Sequence, residues 1–201
     1  MTADVRDNPA VQFSLFGAQA ADAVLADLDG LLLAGGQWVR AERGWAARLS
    51  VLVDRPWRVD ALLAELDYRG LSCDTVPAPG GLIAVRTPIT ELLCRQAERW
   101  TRGAALRVPP DLALSASGLR LWAIAGGRSE ETGYLLSTPG ERDDDSSLHR
   151  AAGRQLAGLG IPAAGLTGRG GPGWRITSAR RLRRLAELLG EPPAGADWPV
   201  G

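Results

Sequence analysis

Two segments of the chain share an unusual pattern, and their repetition constrains the fold more than any other feature. Leu28–Gln37 reads LDGLLLAGGQ, and Leu119–Arg128 reads LRLWAIAGGR. Aligned at their glycine pairs, both run from a leucine through apolar residues to Ala-Gly-Gly and a polar residue. Similar pieces follow each segment in the same order, so that Gly70 recurs as Gly160. A repeat of this kind predicts two copies of one structural unit.

Small residues in both segments predict two helices packed against each other. Gly30 and Ala34 are four residues apart, which places them on one helical face. An interior glycine costs a helix about 1 kcal/mol relative to alanine, but a missing side chain lets another backbone come close. The alternative is that each Gly-Gly pair simply ends an unrelated helix. The predicted repeat interface comprises Gly30, Ala34, Gly35, Ala123, Gly126 and Gly127.

Apolar periodicity in the remaining chain predicts an α+β fold made of two αββαββα units. In the first copy, the pattern predicts helices over 18–34, from a cap at Asp54 to Tyr68, and from Thr87 to Trp100, with strands over 37–43, 47–54, 71–76 and 82–87. In the second copy, it predicts helices ending at Ala125, over 147–159 and over 179–189, with strands over 133–138, 161–167 and 174–177. The predicted divisions are a leader (1–17), two repeats (18–105 and 106–190) and a Pro-rich tail (191–201).

Composition narrows the class of protein. The 23 basic residues are all arginine and are balanced by 23 acidic residues, which argues against a surface coated in positive charge but permits a local basic face. We find no secretory signal and no apolar run long enough to cross a bilayer. Cys73 and Cys94 have no metal-ligand spacing and are expected to be buried thiols in a reducing cytosol. We therefore expect a cytoplasmic protein with no metal and no small-molecule cofactor.

The repeat resembles the LAGLIDADG homing-endonuclease family over about residues 18–190. The nine-residue motif of that family falls on Leu28–Gly36 and again on Leu119–Gly127. The resemblance implies that the two motif helices pack at the centre of the molecule. It also implies that a four-stranded antiparallel sheet from each half contributes to a saddle that straddles duplex DNA.

The chain departs from this family where catalysis would occur. The last acid of each family motif holds a divalent metal over the scissile phosphates, but Gly35 and Gly126 stand at these positions. The other acidic position is Leu33 in the first copy and Ile124 in the second. Asp29 precedes Gly35 by six residues, about 9 Å along a helix, and cannot replace it. Because Mg²⁺ needs carboxylate and water oxygens, we expect a protein that is not an enzyme and has no catalytic residues.

Arginines in the predicted strands are candidates for contact with duplex DNA. Arginine is the usual partner of phosphates and of guanine in the major groove, and Trp38 and Trp45 are interspersed with these arginines. The alternative is an ordinary solvated face balanced by Glu42, Glu130 and Glu131. The resemblance places on the solvent face of the saddle Arg40, Arg43, Arg48, Arg86, Arg128, Arg169 and Arg175.

A short motif in the leader, Gln12–Phe16, reads QFSLF. It resembles the pentapeptide by which bacterial replication and repair proteins bind the ring-shaped DNA sliding clamp. In an extended segment, Leu15 and Phe16 can enter an apolar pocket while Gln12 hydrogen-bonds its rim. The alternative is that Phe13 and Phe16 attach the leader to the folded domain. The motif predicts a sliding clamp as a protein partner.

Four other patterns suggest weaker candidates. The arginine pairs at 180–181 and 183–184 form either a basic contact face or a solvated helix face. The aspartates at 143–145 lack the alternating ligands of a calcium loop and fit helix capping. The glycine-rich segment 168–173 lacks the Lys-Ser/Thr ending of a phosphate loop and fits a hairpin tip. His149 is the only histidine, and no nucleophile is evident beside it.

These observations predict a non-catalytic DNA-associated binding protein, recruited to the replication or repair machinery when its leader binds the sliding clamp. A second hypothesis is a transcription regulator that binds duplex DNA through the saddle. Catalytically silent relatives in the family include bacterial regulators that join this fold to a helix-turn-helix, although no clear helix-turn-helix pattern is present here. A third hypothesis is a protein-interaction adaptor without DNA binding.

Overall fold

The chain forms two similar halves, and each half is built around a four-stranded antiparallel sheet. The computed structural model describes residues 23–41, 44–103, 105–139, 147–167 and 172–199. In these ranges, none of the helices combines the length and apolarity needed to span a membrane.

Elements of the first half follow the predicted order. The helices are α1 (Asp29–Leu33), α2 (Pro56–Asp67) and α3 (Cys94–Trp100), with short 3-10 turns at Leu25–Leu28, Pro79–Gly81 and Glu91–Leu93. The strands are β1 (Gln37–Arg40), β2 (Ala47–Val53), β3 (Asp74–Ala78) and β4 (Leu82–Arg86). A small hairpin, β5 (Thr101–Arg102) with β6 (Ala105–Leu106), was not predicted and lies at the joint between the halves.

The second half repeats this arrangement. Its helices are α4 (Ala116–Gly126), α5 (Ser147–Gly158) and α6 (Ala179–Leu189), and its strands are β7 (Gly127–Glu130), β8 (Gly133–Ser137), β9 (Ala164–Leu166) and β10 (Gly173–Ile176). The strand order is β1-β2-β4-β3 in one sheet and β7-β8-β10-β9 in the other. The same topology in both sheets confirms the predicted fold class of two αββαββα units.

The two motif helices, α1 and α4, contact each other at the centre. A methyl group added at Gly30 would lie 1.8 Å from the carbonyl oxygen of Gly118, so these two backbones touch directly. Further along, a methyl group at Gly126 would lie 3.6 Å from Cβ of Ala34. Gly118 was not among the predicted interface residues, because it precedes the repeated motif.

Some predicted interface glycines have other neighbours. Gly35 has a left-handed φ of +106°, and its nearest potential contact is Pro139 of the second half. A methyl group at Gly127 would instead strike the Tyr134 hydroxyl on β8. The placement of Gly127 between the helices was therefore wrong, because α4 ends at Gly126 and the chain continues directly into β7. Ala123 is fully buried within α4.

The first motif helix is shorter than predicted. Within the described residues 23–34, Asp29–Leu33 is the α-helical part, and Leu25–Leu28 forms a 3-10 turn. The Asp27 carboxylate accepts a hydrogen bond from the Val24 amide and another from the Ser115 hydroxyl. These bonds fix a tight turn at the entry to α1, and residues 18–22 lie outside the described ranges.

A chain of buried and half-buried charges joins the two halves beside the motif helices. Asp27 pairs with Arg69 at 3.0 Å, and both side chains are 2% exposed. Arg69 also pairs with Glu65, and Glu65 pairs with Arg120 of α4 at 2.6 Å. Burial of Glu65 acts to raise its pKa, but hydrogen bonds from Arg120 and Arg69 lower that pKa overall. Arg120 also donates to the carbonyl of Leu189 at the end of α6.

The C-terminal segment after α6 packs on the second half. The Trp198 indole donates to the carbonyl of Gly190, and the Arg120 guanidinium lies 5.5 Å from the centre of the Trp198 ring. Asp197 accepts a hydrogen bond from the backbone amide of Ser129. Since β7 is an edge strand, this bond covers one of its otherwise unpaired amides.

Candidate nucleic-acid interface

The first sheet has one face on the core and one on solvent. Along β2, Leu49 and Val51 are buried, whereas Arg48 and Leu52 alternate with them and are more exposed. Directly opposed residues of antiparallel strands share a face, and Arg86 of β4 is opposite Ser50 of β2. Arg48 and Arg86 therefore lie on the solvent face.

These two arginines differ in their surroundings. Arg86 pairs with Asp74 at 3.0 Å, and its hydrogen bonds lower the pKa of the Asp74 carboxyl. Arg48 is half-buried, and its Nε has no hydrogen-bond partner among the residues that the structure describes. Beside them, Val39 and Leu52 are 50% and 52% exposed. The first sheet thus offers a mixed surface of guanidinium and apolar groups.

The second sheet also carries a pair of arginines on its solvent face. Leu135 of β8 is opposite Arg128 of β7 on one side and opposite Arg175 of β10 on the other. The side chain of Leu135 is buried. Glu130 pairs with Arg175 at 2.5 Å and with Arg128 at 3.5 Å. This carboxylate neutralises part of the positive charge and holds both guanidiniums on the same face.

Arg40 was predicted on the solvent face, and the structure corrects this. Arg40 is opposite Ala47 and shares its face with Trp38, which packs on the core. Its guanidinium bonds the carbonyl of Gly44 and the Glu98 carboxylate of α3. The β1 strand ends at Arg40, so the side chain reaches past the edge of the core to α3.

Several predicted site residues lie outside the ranges that the structure describes. Arg43 and Arg169 lie outside the described residues, as do Gln12, Phe13, Leu15 and Phe16 of the leader. The aspartates at 143–145 lie outside them as well. Of the two tryptophans expected among the arginines, Trp38 packs on the core, whereas Trp45 between β1 and β2 is 54% exposed.

The C-terminal ends of the motif helices carry no acidic side chain, since Ala34, Gly35, Gly126 and Gly127 occupy them. A cavity of about 270 Å³ lies beside Gly126, and Asp54, Asp197, Arg58, Arg128 and Ser137 contribute to its lining. Within the described part of the chain, no three His, Cys, Asp or Glu side chains are grouped so as to hold a metal ion.

Arg58 occupies the end of the second motif helix and was not among the predicted site residues. Only 5% exposed, it donates to the carbonyls of Ala123, Ile124 and Gly127, and it pairs with Asp54 at 3.1 Å. Burial lowers the pKa of its guanidinium, and the charge of Asp54 opposes this shift. The C-terminal carbonyls of a helix attract a positive charge, and Arg58 supplies one.

A signal for Arg58 was present in the sequence. Arg58, Leu62 and Leu66 recur every four residues and are the buried residues of α2, so the arginine falls in the apolar stripe of that helix. The turn after α2 and the turn after α5 have the same hydrogen-bond pattern, with Leu66 and Leu156 in equivalent positions. Aligning the two helices on these leucines makes Leu148 the counterpart of Arg58. Asp54, predicted as a helix cap, is not the cap residue; Arg55 precedes α2, and Asp54 pairs with Arg58 instead.

Asp29 is the acidic residue of the first motif, and it serves the core. It is the first residue of α1, at the end opposite Gly35. Its carboxylate accepts a hydrogen bond of 2.6 Å from the Trp100 indole and pairs with Arg99. Burial raises its pKa, although the bonds from Trp100 and Arg99 act in the opposite direction.

The surroundings of His149, Cys73 and Cys94 indicate structural roles. His149 is buried, stacks on Trp174 with ring centres 4.6 Å apart, and has Nδ1 3.1 Å from the Thr138 hydroxyl. Burial raises the pKa of the Cys73 thiol to about 11, so this thiol is protonated at neutral pH. The pKa of Cys94 is also raised, first by desolvation and then by Glu98.

Comparison with solved structures identifies the architecture. The homing endonuclease I-WcaI bound to its DNA recognition sequence superposes with a TM-score of 0.59 at 12% identity, covering 82% of this chain and 79% of the endonuclease. The N-terminal LAGLIDADG domain of DUF199/WhiA superposes with a TM-score of 0.56 at 15% identity, covering 91% of this chain and 86% of that domain. The chain has a LAGLIDADG-like fold.

A larger protein also contains this fold. Full-length DUF199/WhiA from Thermatoga maritima superposes with a TM-score of 0.57 at 15% identity, and the match covers 83% of this chain but only 55% of that protein. No protein-family model and no curated protein sequence matches the chain. The likeness therefore lies in the arrangement of helices and strands, at low sequence identity.

Proposed function

We propose that this protein binds duplex DNA across its two sheets without cleaving it. The observation that carries the proposal is a pair of arginines on the solvent face of each sheet, Arg48 with Arg86 and Arg128 with Arg175. These two faces together are called the saddle face below. A homing endonuclease with the same fold is bound to its DNA recognition sequence, which supports this use of the surface.

The helix ends support a non-catalytic role. Cleavage assisted by metal ions requires ligands that hold the metals at the reacting phosphate, and both motif helices end in glycine at the relevant position. At the end of α4, Arg58 supplies positive charge that is already engaged by carbonyls and by Asp54. Arg58 neutralises the negative end of α4. We propose that the protein leaves bound DNA intact.

Replacing the four saddle arginines by glutamine is expected to weaken duplex binding at least tenfold at 100 mM salt. Each neutralised phosphate contributes about 0.9 to the slope of log affinity against log salt, so the slope should fall by about 2 to 4. Fluorescence anisotropy with a labelled 20-base-pair duplex, repeated over a salt series, measures both quantities.

A matched control removes the same charge elsewhere. Arg95, Arg102, Arg107 and Arg154 are exposed and lie outside the two large sheets, so their change to glutamine should alter binding much less. Equal losses in the two quadruple variants would reject the saddle as the binding surface. No binding by the unaltered protein at 50 mM salt would favour a protein-interaction adaptor, and Mg²⁺-dependent cleavage of the duplex would reject the non-catalytic role.

Recruitment through the leader is a second proposal, supported by the motif QFSLF at Gln12–Phe16. Changing Leu15 and Phe16 to alanine should reduce capture by an immobilised bacterial sliding clamp at least tenfold, because each buried apolar side chain contributes about 1.5–3 kcal/mol. Changing Val5 and Val11, which are apolar leader residues outside the motif, provides the control. Equal capture of both variants would reject clamp binding through this motif.

The saddle also suits a transcription regulator. Selection of bound sequences from a randomised duplex library separates this role from general DNA association. Enrichment of one sequence motif would favour a regulator, because direct contacts to base edges specify sequence. If the bound duplexes share no sequence motif, the result would favour general association with DNA at replication or repair sites. Phosphate contacts alone carry no sequence information.

A further inference from the structure

Helix α6 carries a second cluster of positive charge, distinct from the saddle face. Arg180, Arg183 and Arg184 are spaced at i, i+3 and i+4, which places them on one side of the helix. The opposite side, with Leu185 and Leu189, is buried in the core. The arginine side of α6 therefore faces outward, whereas the saddle arginines lie on the solvent face of the sheets.

The cluster lines a groove rather than a flat surface. The groove has a volume of about 700 Å³ and runs between the first turns of α6 and the turn that follows α5. We call it the arginine groove, and its lining includes Arg180, Arg181, Arg183, Arg184, Glu187 and Pro162.

Most of this charge is not neutralised. Arg184 pairs with Glu187 at 3.4 Å. Arg180, Arg181 and Arg183 are exposed and have no ion-pair partner within the ranges that the structure describes. Four guanidiniums therefore face a single carboxylate in this groove. The backbone amides in the first turn of α6 add positive potential at the same end.

The composition of the groove selects the kind of partner. Protein interfaces depend on a buried core of apolar and aromatic side chains, and the large exposed apolar residues, such as Leu92 and Tyr68, are not among the groove residues. Binding to a phosphate backbone requires no such core, because it is mainly electrostatic. The planar guanidinium forms paired hydrogen bonds to phosphate oxygens.

We propose that the arginine groove is a binding site for the phosphate backbone of a nucleic acid, separate from the saddle. Without aromatic side chains among its lining residues, the groove has no platform for base stacking. The proposal rests on the groove alone and stands whether or not the saddle binds DNA. A protein with both surfaces would hold two stretches of nucleic acid at once.

The test changes Arg180, Arg181, Arg183 and Arg184 to glutamine in the 201-residue chain that already carries the four saddle substitutions. Anisotropy is measured with a labelled 20-base-pair duplex and with a 20-nucleotide single strand. We expect affinity to fall at least tenfold for one or both probes. If the duplex loses affinity, its salt slope should fall by up to about 3.6, at about 0.9 for each of four neutralised phosphates.

The control carries the saddle substitutions together with the Arg95, Arg102, Arg107 and Arg154 changes. Thermal unfolding by circular dichroism checks that both proteins are equally folded. A loss no larger than in the control would overturn the proposal and leave a solvated helix face. A polyglutamate peptide that binds the groove as tightly as the oligonucleotides would also overturn it, in favour of an acidic protein. Loss with one probe only would show whether the groove takes duplex or single strand.

Discussion

Changing Gly30 to alanine is expected to lower the free energy of unfolding by about 3 kcal/mol, the upper end of the range for overpacked cores. The added methyl group would lie 1.8 Å from the Gly118 carbonyl oxygen. Because that atom belongs to a helix backbone, no side-chain rotation relieves the contact, and α1 and α4 must move apart. A domain of ordinary stability, about 5–15 kcal/mol, would lose a large part of its margin.

Two other glycines make this expectation specific. At Gly118, the nearest atom to an added methyl group is the Leu114 Cδ1 at 2.8 Å, a side-chain atom that can rotate. The loss for Gly118→Ala should therefore be smaller than for Gly30→Ala. At Gly158, in the last turn of α5, an added methyl group has no neighbour within 4 Å, so alanine should be neutral or stabilising by up to about 1 kcal/mol.

Urea unfolding followed by circular dichroism measures all three variants. The predicted order of destabilisation is Gly30→Ala, then Gly118→Ala, then Gly158→Ala. If Gly30→Ala were as stable as the unaltered protein, α1 and α4 could not be in direct backbone contact, and the close packing of the two halves would be wrong.

Changing Arg69 to methionine is expected to lower the free energy of unfolding by about 3–5 kcal/mol, as is usual when one partner of a buried ion pair is removed. Methionine keeps an unbranched apolar side chain, similar to the aliphatic part of arginine, but leaves the Asp27 carboxylate buried without its cation. Glu65 also loses one of its two arginine partners. Adding Asp27→Asn should recover part of the loss, because the uncompensated charge is then absent.

The control for Arg69 is Arg184→Met, which removes an exposed pair with Glu187. Surface pairs contribute about 0–1 kcal/mol, so this change should have little effect on urea unfolding. Similar losses in both variants would contradict the assignment of Arg69 to a buried network.

The acid response of the same network has a defined sign. The folded pKa of Glu65 lies below its usual 4.5, because Arg120 and Arg69 outweigh the effect of burial. A lowered folded pKa adds stability above the unfolded pKa, and this stability is lost as the pH falls through the folded value. Between pH 5 and pH 3, the free energy of unfolding should therefore fall more steeply for the unaltered protein than for Glu65→Gln.

Segments with strong periodicity were predicted well. Helix α6 was predicted over 179–189, which agrees with the observed Ala179–Leu189, because leucines recur along one side among arginines. The strand β2 was predicted over 47–54 and ends at Val53. Strand β7, GRSE, has no large apolar residue and was therefore poorly defined in the sequence. Its pairing depends on hydrogen bonds to β8, which leave no hydrophobic pattern.

The candidate site was only partly predictable from sequence. Arg48 follows from strand alternation, and Arg128 was placed only by the resemblance to the LAGLIDADG family. The same resemblance misplaced Arg40, which lies on the face of Trp38. The role of Arg58 depends on α2 of the first half packing against α4 of the second half. Nothing local in the sequence specifies such a contact between distant segments.

The two halves have diverged although their topology is the same. Arg58 lies at the end of one motif helix, and its counterpart Leu148 carries no charge. The first sheet exposes Val39 and Leu52, while the second presents Arg128 and Arg175 around Glu130. A rod-shaped ligand lying across both sheets would thus meet unlike surfaces at its two ends. The two ends of the saddle face therefore differ, and the two-fold symmetry of a palindromic DNA sequence would not be matched by the protein.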